Sequence, residues 1–163
     1  MAGESARAGA APGADNEIVI TRLLRAPRAL VWRAWTDPAQ LPLWWGPQGF
    51  RCETAEIDIR VGGSWRFRMI APDGTIYPNR VVWQEIVPPE RLVYTIDDDG
   101  GDFEPFQAVT TFAEEGAGTR VTMHTVFSSA ARRADLAARG AIEGGESTID
   151  CLEAHLAAIA SNG

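Results

Sequence analysis

Histidine and cysteine are scarce in this chain, with two of each among 163 residues. Cys52 and Cys151 have no metal-ligand spacing, and neither His124 nor His155 has a carboxylate or cysteine placed to share a metal. A zinc or redox centre is therefore disfavoured. With no secretory pattern near the start, two thiols suggest free cysteines in a reducing cytoplasm. No apolar run approaches the ~18 residues of a membrane span. Bases are outnumbered, 15 against 22 acids, for a net charge of −7. That balance argues against nucleic acid or an anionic membrane surface as a partner. A G-x-S-x-G nucleophile motif is also missing. The acidic run of Asp97, Asp98, Asp99, Asp102 and Glu104 lacks the glycine and glutamate positions of a calcium loop, so it reads as a solvated loop. No cofactor is indicated.

The chain does have apolar residues in ordinary globular proportion, 45% of the total, and length enough for one sizeable core. Residues 1–14, "MAGESARAGAAPGA", are too small and polar to bury much. They are expected to form a disordered tail, leaving residues 15–163 as one domain.

"EIVITRLLRA" (17–26) reads as a strand. Pro27 suits the first turn of a helix through "RALVWRAW", with Val31 and Trp35 on one face. A second short helix is expected from "TDPAQL", with Asp37 as N-cap, Pro38 at the first helical position and Gln40 three residues after the cap. It runs into Trp44 and Trp45, which cannot both face one core from a regular element. "RCETAEIDIR" alternates, with Ala55, Ile57 and Ile59 on one face and Thr54, Glu56 and Asp58 on the other. In "SWRFRMI" Trp65, Phe67 and Met69 alternate with Arg66 and Arg68. Pairing Ile59 with Trp65 leaves Val61-Gly62-Gly63 as a three-residue hairpin loop and puts Asp58 near Arg66 and Arg68 on the outer face.

Asp73-Gly74 marks the next turn, and Pro78 interrupts the following strand, suggesting an edge or bulge that leaves a homodimer open. "RLVYTID", "FQAVTTFAEE" and "RVTMHTVF" complete an antiparallel series. His124 falls on the row opposite Val121 and Met123, outside the core. From Ser128 or Ser129 as cap, the tail is expected to be helical to about residue 160. Its apolar row, Ala138, Ile142, Gly145, Ile149, Leu152, Leu156 and Ile159, advances by alternate steps of four and three. The result is an α+β layout with two short helices after the first strand, six to seven antiparallel strands and a long C-terminal helix. The only long apolar stripe belongs to that helix, so the sheet should curve around it.

"APRALVWRAWTDPAQLPLWWGPQGF", "EIDIRVGGSWRFRM", "IVPPERLVYT", "GTRVTM" and "GAIEGGESTIDCLEAHL" together resemble one family. It is the branch of the START-like (SRPBCC) superfamily built around homologues of the activator of heat-shock protein ATPase. The superfamily also holds polyketide cyclases and lipid carriers. The resemblance spans about residues 16–160 in order. It implies a helix-grip (START/Bet v-like) fold, whose curved sheet and long helix enclose an apolar cavity. It specifies function poorly, because one fold hosts many activities.

Gly145 bears on whether this chain keeps that cavity. It stands in the buried stripe where a large apolar residue would normally lie. Either a ligand or a sheet aromatic such as Trp65 or Trp83 fills the room it leaves. One of Trp44 and Trp45 would plug the core and the other would sit at the cavity entrance. The ligand-binding candidates are Trp35, Trp44, Trp45, Ile57, Trp65, Phe67, Met69, Trp83, Met123, Gly145, Ile149 and Leu152. The candidates for a general acid or base are the cavity polars Tyr77, Asn79, Tyr94 and Thr125, with Glu143 and Glu146 less favoured, and a hydrated surface or a satisfied core hydrogen bond is the favoured role of each. No catalytic residue is assigned, because no apolar row carries a carboxylate or histidine aimed into a pocket. These residues point first to binding, carriage or sequestration of a small hydrophobic or aromatic ligand. The alternatives are a cochaperone-like module and a cyclase or self-sacrificing resistance protein. Chaperone-activating relatives carry a further domain before this one, which 14 residues cannot supply, so a chaperone partner is disfavoured.

Overall fold

The computed structural model describes residues 15–162, so the expected tail over 1–14 lies outside the described residues. Seven antiparallel strands form one sheet in the order β1-β7-β6-β5-β4-β3-β2. The strands are β1 (Glu17–Leu24), β2 (Arg51–Ile57), β3 (Ser64–Ile70), β4 (Ile76–Val87), β5 (Arg91–Asp97), β6 (Phe106–Glu115) and β7 (Gly118–Val126). Helices α1 (Arg28–Thr36) and α2 (Leu41–Trp44) follow β1, while α3 (Ala130–Ala138) and α4 (Ala141–Asn162) follow β7. This is the helix-grip fold. Ile149, Leu152 and Leu156 of α4 are buried together with Ile18, Ile20, Trp65, Val81, Trp83 and Phe112 from the sheet. The apolar stripe of the last helix thus meets the apolar rows of the strands, as the hydrophobic effect requires of both.

The tail is two helices rather than one. Ser129 caps α3, its side chain accepting from the Arg132 N–H at 3.0 Å. Gly140 then takes a φ of +94°, which ends α3 before α4 begins. A left-handed residue cannot continue a right-handed helix, and glycine adopts that conformation at least cost. The short second helix also starts later than expected, at Leu41 with Pro42 in its first turn. Asp37 closes a separate turn before it, accepting the Ala39 N–H at 2.8 Å and the Gln40 amide at 3.1 Å.

The first hairpin corrects two expectations. Ile57, not Ile59, pairs with Trp65, and the Asp58 N–H reaches Ser64 O at 2.9 Å, so the connection is longer than three residues. A bulge at Ala55 then shifts the register between Thr54 and Glu56. One extra residue inverts the faces beyond it. Thr54 therefore turns inward opposite Phe67, and its hydroxyl accepts the Trp65 indole N–H at 3.0 Å. Asp58 pairs with Arg60 at 2.6 Å instead of Arg66 or Arg68. Arg66 pairs with Glu56 (2.9 Å) and Asp99 (3.1 Å), and Arg68 with Glu53.

Pro78 lies on the first half of β4, which β3 flanks from Ile76 to Val82, while pairing with β5 begins only at Arg80. Pro78 thus occupies a locally free side of an interior strand, where a missing N–H costs no ladder bond. The free edges of the sheet are β1 and β2. Arg22 fastens β1 to α4 through Glu146 (2.7 Å), Asp150 (2.5 Å) and Glu153 (2.9 Å).

Candidate functional site

Between the sheet and the two C-terminal helices lie two adjoining, open-sided chambers. The outer one has a volume of about 610 Å³ and the inner about 220 Å³. They share Pro47 from the α2–β2 loop, Met69 of β3, Asn79 of β4, Ile96 of β5, Phe106 of β6 and Gly144 of α4. The outer chamber opens between Phe50, Tyr77 and Pro78 on one side and Leu136, Arg139 and Gly140 on the other. The inner chamber ends at Ile18, Ile20, Met123, Thr125 and Thr148.

Each wall has a local cause. On the sheet side, strand alternation turns Met69, Asn79, Tyr94, Ile96, Ala108 and Met123 inward together, because the strand registers put these positions on one face of the sheet. Ala108 is the small residue in that floor and leaves space above it. On the helix side, a Cβ placed on Gly144 would meet nothing nearer than Pro47 Cγ at 3.7 Å. The open room on α4 is therefore at Gly144. At Gly145 a Cβ would run into Ile20 Cδ1, so β1 approaches the helix closely there and neither Trp65 nor Trp83 is the filler.

The expected site residues divide into two groups. Trp45, Met69, Met123 and Gly145 line the cavity. Trp35, Trp65 and Trp83 are buried around a void of only about 10 Å³ next to Trp45. Phe67 stacks on Trp65 with ring centroids 3.7 Å apart. Ile149 and Leu152 are buried in the core, and Ile57 packs half-buried at its edge. Trp44 is buried too, its indole N–H donating to Ala34 O at 3.0 Å. The two adjacent tryptophans thus part company at the end of α2. Trp44 plugs the space beneath α1, and Trp45 turns to the inner chamber.

The polar candidates Tyr77, Asn79, Tyr94 and Thr125 all line the cavity, whereas Glu146 reaches outward to Arg22. Burial pushes the Tyr94 phenol up to about 12, against the opposing effect of its 2.9 Å bond with the Thr110 hydroxyl. Asn79 donates its amide to Tyr77 O at 3.0 Å, and Thr148 donates to Gly144 O at 2.9 Å.

The acidic loop shapes the mouth. Asp98 accepts the backbone N–H groups of Gly101 (3.0 Å) and Phe103 (3.1 Å), an Asx-type closure. Phe103 is thereby set against Phe106, and the Arg132 guanidinium lies 4.4 Å from its ring centroid. Asp97 bonds to Arg80 at 2.6 Å. Burial alone would raise its carboxyl, but Arg80 and the Asp99 N–H outweigh that and hold it below the ordinary carboxylate range. The sequence signal for this loop was its clustered Asp and Gly; only the fold shows that it curls over a cavity.

His124 faces away from the cavity and lies 2.9 Å from Glu17, a contact between strands that sequence spacing cannot display. His155 meets Gln40 Oε1 at 2.9 Å. Among the described residues, no group of three or more His, Cys, Asp or Glu could hold a metal ion, and no helix is long and apolar enough to cross a membrane.

A curved antiparallel sheet gripping a long terminal helix defines a START-like protein. Residues 25–157 match the model of the family described as "Activator of Hsp90 ATPase homolog 1-like protein", and the chain belongs to that family. A solved structure from Nitrosomonas europaea is 27% identical, with a TM-score of 0.81 over 91% of this chain and 98% of that one. One from Mycobacterium smegmatis is 29% identical, with a TM-score of 0.77 over 86% and 90%. A protein named AHSA1 from Silicibacter pomeroyi, 22% identical, shares the fold with a TM-score of 0.71 over 86% and 97%. None of the curated proteins matches the chain. Family and fold together define a ligand-binding or cochaperone-like module.

Proposed function

We propose that this protein binds, and carries or sequesters, a small hydrophobic or aromatic ligand in the two-chambered cavity. One observation carries the reading. The cavity is walled mainly by Trp45, Met69, Ile96, Phe106 and Met123, in a protein whose tryptophan cluster alongside is filled to about 10 Å³. Interiors normally pack densely, so a space of this size with a few convergent polar groups is the form of a binding pocket. Met69 and Met123 add thioethers that adapt to aromatic guests. The free thiols of Cys52 and Cys151 fit work in a reducing cytoplasm.

Native mass spectrometry of freshly purified protein is the direct test, expected to show a non-covalent adduct that organic solvent releases. Titration with the neutral dye Nile red should give saturable fluorescence in the wild type and little in Gly144→Leu, which projects a side chain into the shared space. Equal dye binding by the two proteins, with no adduct, would remove the reading. The family description favours a second reading, action on the Hsp90 ATPase, which capture of that chaperone by the immobilised protein and a change in its ATP turnover would support.

A further inference from the structure

Resting on the cavity reading above, we infer that the ligand is an uncharged aromatic molecule bearing a hydroxyl or carbonyl group, and that Thr125 anchors this group at the inner end. The inner chamber has no Asp, Glu, Arg or His in its wall. An ionised carboxylate or ammonium carried there would lose its water and meet no counter-charge, which is far costlier than burying a neutral polar group. The one titratable wall residue, Tyr94, keeps its proton and is already engaged with Thr110. The charged groups stand only at the outer chamber, and each has a partner: Asp97 with Arg80, Asp98 with backbone N–H groups, and Arg139 with Asp135 at 3.2 Å.

The polar inventory of the inner chamber then selects the anchor. Thr148 donates its one hydroxyl proton to the backbone of its own helix, and the Asn79 amide, near the mouth, gives one of its two N–H groups to Tyr77 O. Thr125 is different. On β7 it stands in register between Ile18 of β1 and Ala108 of β6, whose aliphatic side chains offer no hydrogen-bond partner. The residue is half-buried, and its hydroxyl can both donate and accept, so it suits a ligand hydroxyl or carbonyl equally. Asn79 lies three strands away, near the mouth, where its oxygen can accept from a second ligand hydroxyl. Between these two points Ile96, Phe106 and Met123 give an apolar bed for a ring.

The test uses the full chain and three matched probes at pH 7, namely naphthalene, 2-naphthol and 2-naphthoate, with affinities from calorimetric titration. Thr125→Val removes the hydroxyl at constant shape, and Thr125→Ser retains it. The wild type should prefer 2-naphthol over 2-naphthoate by at least about tenfold, given the cost of an unpaired buried charge. Thr125→Val should weaken 2-naphthol by about three- to tenfold, the worth of one hydrogen bond, and leave naphthalene unchanged. Thr125→Ser should bind 2-naphthol nearly as the wild type does. Equal or tighter binding of 2-naphthoate overturns the inference while the cavity reading stands. So does a Thr125→Val protein that keeps 2-naphthol or loses both neutral probes alike. If none of the three binds the wild type, the cavity reading itself fails and this inference falls with it.

Discussion

Ile20 and Gly145 interlock across the β1–α4 contact, with the Ile20 δ-methyl occupying the room that a Cβ on Gly145 would need. The adjacent Gly144 has ordinary contact distance to Pro47 and open cavity beyond. Leucine at these two neighbouring positions should therefore act in opposite directions. Both changes gain helix propensity worth up to about 1 kcal/mol. Gly145→Leu also overpacks against Ile20, which typically costs about 1–3 kcal/mol, so it should lower the melting temperature. Gly144→Leu should leave it unchanged or raise it. Ile20→Ala combined with Gly145→Leu should cost less than the sum of the two single changes, because the residues share one space.

Removing the Arg80 guanidinium should expose the pH dependence of Asp97. The Asp97 carboxyl titrates below its ordinary range in the folded protein, so its pairing stabilises the fold above the unfolded value of about 3.9. That contribution fades as pH falls through the lower folded value. Arg80→Met should thus destabilise at pH 7, by about 1–3 kcal/mol for a buried carboxylate left short of a partner. The gap from wild type should narrow by pH 3. Urea midpoints at both pH values check the sign.

The Thr54 hydroxyl is the acceptor for the buried Trp65 indole N–H. Thr54→Val keeps the shape and removes the acceptor. Denaturant unfolding should show a loss of about 1–3 kcal/mol, with Thr54→Ser near wild type. A neutral Thr54→Val would mean that Trp65 finds another partner.

Thiol labelling should distinguish the two cysteines. Burial pushes the Cys52 thiol up to about 12, and that thiol donates to Trp45 O at 3.5 Å. Only the thiolate attacks. Iodoacetamide at pH 8 should therefore spare Cys52 in the folded protein and modify it in urea. Mass mapping of the labelled peptides reads this directly, and Cys151, on the flank of α4, should react first.

Strand alternation made the sheet legible in the sequence, since period-two rows such as Trp65, Phe67 and Met69 do face inward. It failed at Ala55, where a bulge inverts Thr54 and Cys52. Nothing in "RCETAEI" marks the extra residue, which follows from how the strand pairs with β3. The break at Gly140 did carry a signal, a glycine after arginine at a helix end, which the long apolar row outweighed. The cavity was half legible. Tyr77, Asn79, Tyr94 and Thr125 could be picked as inward polars from parity. Whether a tryptophan lines a space or fills it depends on sheet curvature, and that is why Trp35, Trp65 and Trp83 resemble Trp45 in sequence and differ from it in place.

Helix α3 forms one lip of the cavity, yet none of its nine residues is fully buried. It is moored by Arg133, which donates to Glu17 O at 2.9 Å, and by Arg132 to Glu104 O at 3.2 Å, while Gly140 separates it from α4. Segments with so little burial open with a small fraction of the global unfolding free energy. Guest residence time and thermal stability are consequently set by different parts of the molecule. A trace of denaturant too weak to unfold the sheet should already hasten guest release, and the amides of Ala130–Ala138 should exchange with deuterium well before those around Ile149 and Leu152.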